Sequence, residues 1–134
     1  ACAVEIASPL QCPAPNYGSS FSRAMEIATP LGRQLFVSGT ASIAPGGETM
    51  WPDDIVDQVE QTMKVVDALL QARGYRLADI TRAVAYFKHR AYLPVFKDWC
   101  AARGMAAMPV VAAHCDICRD DLGFEFEADA EKRV

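Results

Sequence analysis

Hydrophobic and polar positions alternate along this chain with two different periods, and the switches between them predict its elements. Near the C-terminus, Leu122, Phe124 and Phe126 fall on one side while Gly123, Glu125 and Glu127 fall on the other. That period of two marks a half-buried strand over 122–130. Residues 110–118 predict the strand before it, joined by a short polar turn. Earlier, Ile55, Val59, Met63, Val66 and Leu70 recur at helical spacing, and Val56 and Leu69 widen the stripe. Asp53 is the expected N-cap, acidic residues follow in the first turn, and Gly74 follows Arg73 as the expected stop.

The remaining elements follow from weaker patterns. Residues 22–28 and 34–40 read as strands around a turn at 29–32, forming an antiparallel hairpin. Residues 80–87 alternate in part and predict another strand. Residues 91–103 predict a second helix, with Pro94 in its first turn and Gly104 closing it. Residues 1–20 read as an irregular lead, because Pro9, Pro13 and Pro15 oppose a helix. The expected order is β-β-α-β-α-β-β in one domain spanning 1–134. Both helices carry one apolar face, so the fold class is α+β, a mixed sheet with two helices on one face. The other face then needs cover, and self-association supplies it most simply.

Composition narrows the function. The chain has 134 residues, 51% of them hydrophobic, and a formal net charge of −4. That suits a single core and gives nothing to attract a polyanion, so no nucleic-acid partner is expected. No apolar run reaches the roughly 18 residues of a membrane span. Five cysteines at scattered spacing argue against a disulfide framework and for a reducing, cytoplasmic setting. Cys115 and Cys118 make a C-x-x-C, but it falls in expected strand, and no second ligand pair accompanies it. No metal or other cofactor is expected.

Two carboxylates in alternate strand positions are unusual, because carboxylates are poor strand formers. They suit a solvated sheet face, or a pocket in which Glu125 works as an acid or base. Cys118 nearby serves either as a nucleophile or as a pocket wall, and no histidine adjoins it to activate the thiol. Arg119 either binds a substrate carboxylate or pairs with Asp120 or Asp121. Gly39, inside a strand, marks a bulge or a close approach, and Ser38 and Thr40 flank it with hydroxyls. Tyr17 is either packing or a pocket wall with a hydroxyl.

The element order, the run Leu35-Phe36-Val37-Ser38-Gly39 ahead of the long helix, and the closing Phe124-Glu125-Phe126-Glu127-Ala128-Asp129-Ala130 resemble the reactive intermediate deaminase (Rid) superfamily. The resemblance spans about residues 20–130. It implies a chorismate-mutase-like fold, a homotrimer with inter-subunit clefts, and hydrolysis of enamines or imines. Glu125 matches the family's pocket glutamate. Met108-Pro109-Val110-Val111 lacks the arginine that the family places after this proline, and Phe21 stands where a tyrosine is usual.

Tyr17-Gly18, Phe21-Ser22-Arg23-Ala24, the run from Phe36 to Ile43, and Cys118-Arg119-Asp120-Asp121-Leu122 with Phe124-Glu125 are similar to the C-terminal half of chorismatases. Those enzymes hydrolyse the enolpyruvyl ether of chorismate or convert it to a hydroxybenzoate, and they are about twice this length. The resemblance implies a small-molecule enzyme acting on an enamine, imine or enol ether, chorismate-like compounds included. Glu125 and Cys118 are then the catalytic candidates. Arg119, Tyr17, Phe21, Ser38, Gly39 and Thr40 are the substrate-binding ones. A trimeric module that binds a metabolite or a protein without catalysis is the rival reading.

Overall fold

The structure is a computed structural model and describes residues 2–134. Its sheet contains β1 (Cys2–Ile6), β2 (Ala24–Thr29), β3 (Gly32–Thr40), β4 (Ile80–Phe87), β5 (Val110–His114) and β6 (Phe124–Arg133). Their spatial order is β1-β2-β3-β6-β4-β5. All neighbours are antiparallel except β4 and β5, which run parallel through the α2 crossover. The last strand in sequence thus lies in the middle of the sheet, between β3 and β4.

The helices α1 (Ile55–Ala72) and α2 (Leu93–Ala102) cover one face. Val59, Met63, Val66 and Leu70 of α1 are buried in one cluster with Leu35, Phe124 and Phe126 of the sheet. Phe96 of α2 packs its ring against Phe87, Phe124 and Phe126 at centroid distances of 6.0, 5.3 and 5.9 Å. Such tilted aromatic contacts add to the large apolar area that each ring buries. The inward side of β6 is fully buried at Phe124, Phe126 and Ala128, while Glu125, Glu127 and Asp129 point away from the helices. On that outer face Met25, Ile27, Phe36 and Val84 are only half-buried, and Val111 is 66% exposed.

Several expectations need correction. Residues 1–20 are not wholly irregular. β1 pairs with β2 along its length, and Ala14–Tyr17 forms a 3-10 turn, in which a proline near the start is tolerated. Ala1, part of that expected lead, lies outside the described residues. Asp54, not Asp53, caps α1, and its carboxylate accepts from Asp57 N at 3.2 Å. Asp53 has a φ of 57°, which bends the chain before the helix instead of capping it. A 3-10 turn at Arg90–Tyr92 precedes α2, which begins at Leu93.

The main difference concerns 110–123. β5 stops at His114 and pairs with β4, so β5 and β6 form no hairpin. Cys115 to Gly123 is a loop that crosses over β4. Alternation alone predicted two adjacent strands, but a parallel β5 must leave the sheet before β6 can return antiparallel beside β4.

Candidate functional site

Four pieces of chain meet at the open end of the sheet between β3 and β6. The β3–β6 ladder shifts register between Val37 and Thr40, the bulge that Gly39 suggested. There the backbone of β3 swings close to Glu125. A Cβ built on Gly39 would stand 2.7 Å from Glu125 Oε2, and Gly39 has no left-handed φ. Glycine is needed here for space, so that the carboxyl group can lie over the strand.

The rest of the site is held by polar ties between distant segments. Gln11 Nε2 donates to Ala41 O and Ile43 O, both at 2.9 Å, and pins the N-terminal segment to the end of β3. This brings the 3-10 turn that carries Tyr17 over the bulge. Gly47, with φ of 96°, passes against the Tyr17 ring, where a Cβ would meet Tyr17 at 3.2 Å. The buried Gln58 of α1 donates to Trp51 O and Asp121 O and accepts from Gly123 N, at 2.9, 2.8 and 2.8 Å. One side chain thereby fixes the loop before α1 and the start of β6. A buried amide with three satisfied bonds stabilises a unique loop path.

The resulting cavity has a volume of about 460 Å³ and is lined by Tyr17, Phe21, Ser38, Gly39, Cys118, Arg119 and Glu125. Ser19, Arg23, Ala41 and Ile43 complete its wall. Seven expected residues therefore come together, although they span most of the sequence. Thr40 does not join them. It is 1% exposed, and its hydroxyl donates to Ser38 O at 2.8 Å. Strand alternation turns it away from the side that Gly39 presents. The Ser38 hydroxyl donates to Ser22 O at 2.6 Å, so toward a ligand it acts as an acceptor.

Arg119 makes neither of the ion pairs considered for it. It donates to Thr49 Oγ1 at 3.1 Å and Gly47 O at 2.8 Å, and its guanidinium lies 5.3 Å from the Tyr17 ring centre. Asp121 is engaged at one remove, accepting from the Thr49 hydroxyl at 3.1 Å. Asp120 and Asp121 are therefore not its partners, and the guanidinium keeps its charge toward the cavity.

Arg23 is the residue that sequence reading missed. It is 4% exposed, and no carboxylate pairs with it among the described residues. Its Nε donates to Cys12 O at 3.0 Å, and its Nη2 is buried without a hydrogen-bond partner. Its guanidinium sits 5.3 Å from both the Tyr17 and Phe21 ring centres. Aromatic faces favour a desolvated cation, but an orphaned buried N–H is costly until an acceptor meets it. The signal was present in Phe21-Ser22-Arg23-Ala24, a motif whose arginine lies just before β2 and meets Cys12, Tyr17 and Phe21 only in the folded chain.

Glu125 lines the same cavity as these two cations. Among the described residues its carboxyl group has no hydrogen-bond partner or ion pair. Burial, and after it the charge of Glu127, raises its pKa above the ordinary carboxylate range. The Cys118 thiol is reached from the cavity. Local desolvation, then the Glu125 charge, push its pKa up despite Arg119. A thiol held neutral is a poor nucleophile. Cys115, its C-x-x-C partner, is exposed in the same loop, and all five cysteines are free. Among the described residues, no group of three or more His, Cys, Asp or Glu is gathered that would hold a metal ion.

The fold and this cleft define a class. The family described as Endoribonuclease L-PSP matches residues 13–130, and the chain belongs to that family, the Rid superfamily of the resemblance above. Within it, a chorismatase of Streptomyces hygroscopicus is 33% identical over 116 residues, which is 80% of this chain and 33% of that protein. A 3-hydroxybenzoate synthase from the same organism is 27% identical, matching 92% of this chain and 42% of that protein. A chorismatase crystal structure superposes with a TM-score of 0.86 at 29% identity, covering 97% of this chain and 44% of that one. The chain thus spans well under half the length of these relatives, and the six-stranded sheet with two helices is the fold that they share with it.

Proposed function

We propose that this protein is a small-molecule enzyme that protonates the alkene carbon of a carboxylated enol ether or enamine, with Glu125 as the acid. The observation that carries this reading is an unpartnered carboxyl of raised pKa lining one cavity with Arg23, a buried cation that no carboxylate among the described residues neutralises. Arg23 lines the cavity without a carboxylate partner among the described residues, so a substrate carboxylate can pair with it, and an Arg–carboxylate bond is among the strongest available. Arg119, also 5.3 Å from the Tyr17 ring centre, offers a second cation.

The chemistry follows from that placement. A neutral Glu125 gives its proton to the terminal alkene carbon, and an oxocarbenium or iminium ion forms. The resulting carboxylate lies beside the new cation and lowers its energy. Water adds to the cationic carbon and returns a proton to Glu125. Collapse of the adduct then releases a keto acid together with an alcohol or amine. Cys118 shapes the pocket beside the reacting carbon. The names of the relatives favour enol ethers of the chorismate kind as the first compounds to test.

The half-buried apolar positions on the outer sheet face support assembly into a homotrimer, whose neighbouring copy would close the mouth of the cavity. A net charge of −4 speaks against a phosphate backbone as substrate.

The test is turnover by the purified protein with chorismate, simpler enolpyruvyl ethers and enamines of amino acids, alongside Glu125→Gln. Turnover of one class that Glu125→Gln abolishes, with the fold retained, is the expected result. Binding of these compounds without turnover, unchanged in Glu125→Gln, would replace the enzyme with a binding module.

A further inference from the structure

β6 carries a row of acids on the face away from the helices, and they are not equivalent. Glu125 has no hydrogen-bond or ion-pair partner among the described residues, whereas its neighbour Glu127 is heavily engaged. Arg82 of β4 reaches Glu127 Oε2 at 3.2 Å and Asp129 Oδ2 at 3.4 Å. The Tyr86 hydroxyl donates to Glu127 Oε1. Tyr86 is itself the cross-strand partner of Glu125. Its side chain therefore leans along the sheet past the nearer acid to bond the farther one.

We propose that Glu127, held in place by Tyr86 and with its charge moderated by Arg82, is a positioning residue that keeps Glu125 in its neutral, proton-donating form. This rests on the reading of Glu125 as the acid. The geometry supplies two effects. Tyr86 spends its only proton on Glu127, so it cannot donate to Glu125 and stabilise the charged carboxylate. Glu127, held by Arg82 and Tyr86, also places a negative charge two residues along the strand from Glu125, on the same face. The Tyr86 hydroxyl is locked in that role, because the bond to Glu127, together with burial, pushes its pKa up to about 12.

The other groups around Glu125 do not take over this function. β3 presents Ser38 and Gly39, which carry no charge. Arg119 and Arg23 bond only neutral oxygens of Thr49, Gly47 and Cys12, so both keep a positive charge that opposes Glu127. Tyr17 stacks on both guanidinium groups, and the Cys118 thiol is held neutral. Glu127 is the like charge that remains.

The experiment is a carbon-detected NMR titration of the Glu125 carboxyl in the free protein, for the wild type, Glu127→Gln and Arg82→Gln. No substrate is needed, so the result is independent of whether the proposed reaction is the right one. In Glu127→Gln the Glu125 midpoint is expected to fall by about one pH unit. In Arg82→Gln, which unmasks the Glu127 charge, it is expected to rise. Opposite signs exclude general damage to the fold, which would move both the same way. A midpoint unmoved in both variants, or moved in the same direction, would overturn the proposal. Where a substrate is in hand, the pH limb of turnover should move with the midpoint in each variant. A limb that stays in place while the midpoint moves would equally overturn the positioning role.

Discussion

Glu125 is a carboxyl group whose environment favours neutrality, and this has consequences for rate and stability alike. With the proton as the reactive species, turnover falls as pH rises through the raised pKa of Glu125. A pH–rate profile checks this, and a rate climbing steadily to pH 8 would make Glu125 a base acting on water. The stability sign follows from linkage. The folded state holds the Glu125 proton to higher pH than the unfolded chain, so this group's contribution falls as pH rises between the two pKa values. Glu125→Gln should therefore gain stability relative to wild type on going from pH 4 to pH 7, read from denaturant melts at both values. Gly39→Ala separates space from charge. The new Cβ would displace the Glu125 carboxyl, the far end of a flexible side chain. The fold should change by less than about 1 kcal/mol while turnover drops. Cys118→Ala, by contrast, should keep a large share of activity or alter the product. Complete loss with the fold intact would make the thiol a nucleophile after all.

At the scale of elements, two buried polar groups decide how the strands and helices meet. Gln58 is one, and Gln58→Leu would strand Gly123 N and leave Trp51 O and Asp121 O with only their backbone donors, Asp54 N and Asp53 N. It should cost about 1–3 kcal/mol in urea unfolding and loosen the loop that carries Arg119. Glu26 is the other. It is 5% exposed on β2 and receives Arg73 at 2.6 Å and Arg33 at 3.0 Å, tying the β2–β3 hairpin to the C-terminus of α1. Burial works to raise its pKa, but Arg73 and Arg33 outweigh it and leave Glu26 below the ordinary range. Its stabilisation is present above the unfolded value of roughly 4.3 and is lost as pH falls through the lower folded one. Glu26→Gln should cost about 2 kcal/mol at pH 7, less than a fully buried pair because both arginines are partly solvated. That difference should shrink when unfolding is repeated at about pH 3.

For the whole molecule, one sheet face is sealed by α1 and α2, and the other mixes half-buried apolar residues with the acids of β6. Sedimentation at micromolar concentration is expected to give a trimer. A monomer would remove the proposed inter-subunit closure of the cavity, although the Arg23, Arg119 and Glu125 arrangement within one chain would stand.

Local periodicity determined much of this protein. The alternation at 122–130 gave β6 its inward phenylalanines and outward acids, and the 3.6-residue stripe gave α1 its buried face, because burial of one side is imposed residue by residue. Gly39 also announced its bulge, since a glycine inside a strand leaves a gap that something must fill. Sequence could not place β6 between β3 and β4, because strand order depends on which edges pair across long separations, and periodicity carries no record of that. The same limit hid the loop at 115–123, where alternation without a pairing partner imitates a strand. It also left Arg119 undecided between a substrate and its acidic neighbours. Only the folded chain brings Gly47 and Thr49 to that guanidinium, and only there does Arg23 become a buried cation that no carboxylate among the described residues neutralises. Glu125 was legible as a carboxylate in an unusual place. Its solitude, and the engagement of Glu127 beside it, were decided by the sheet.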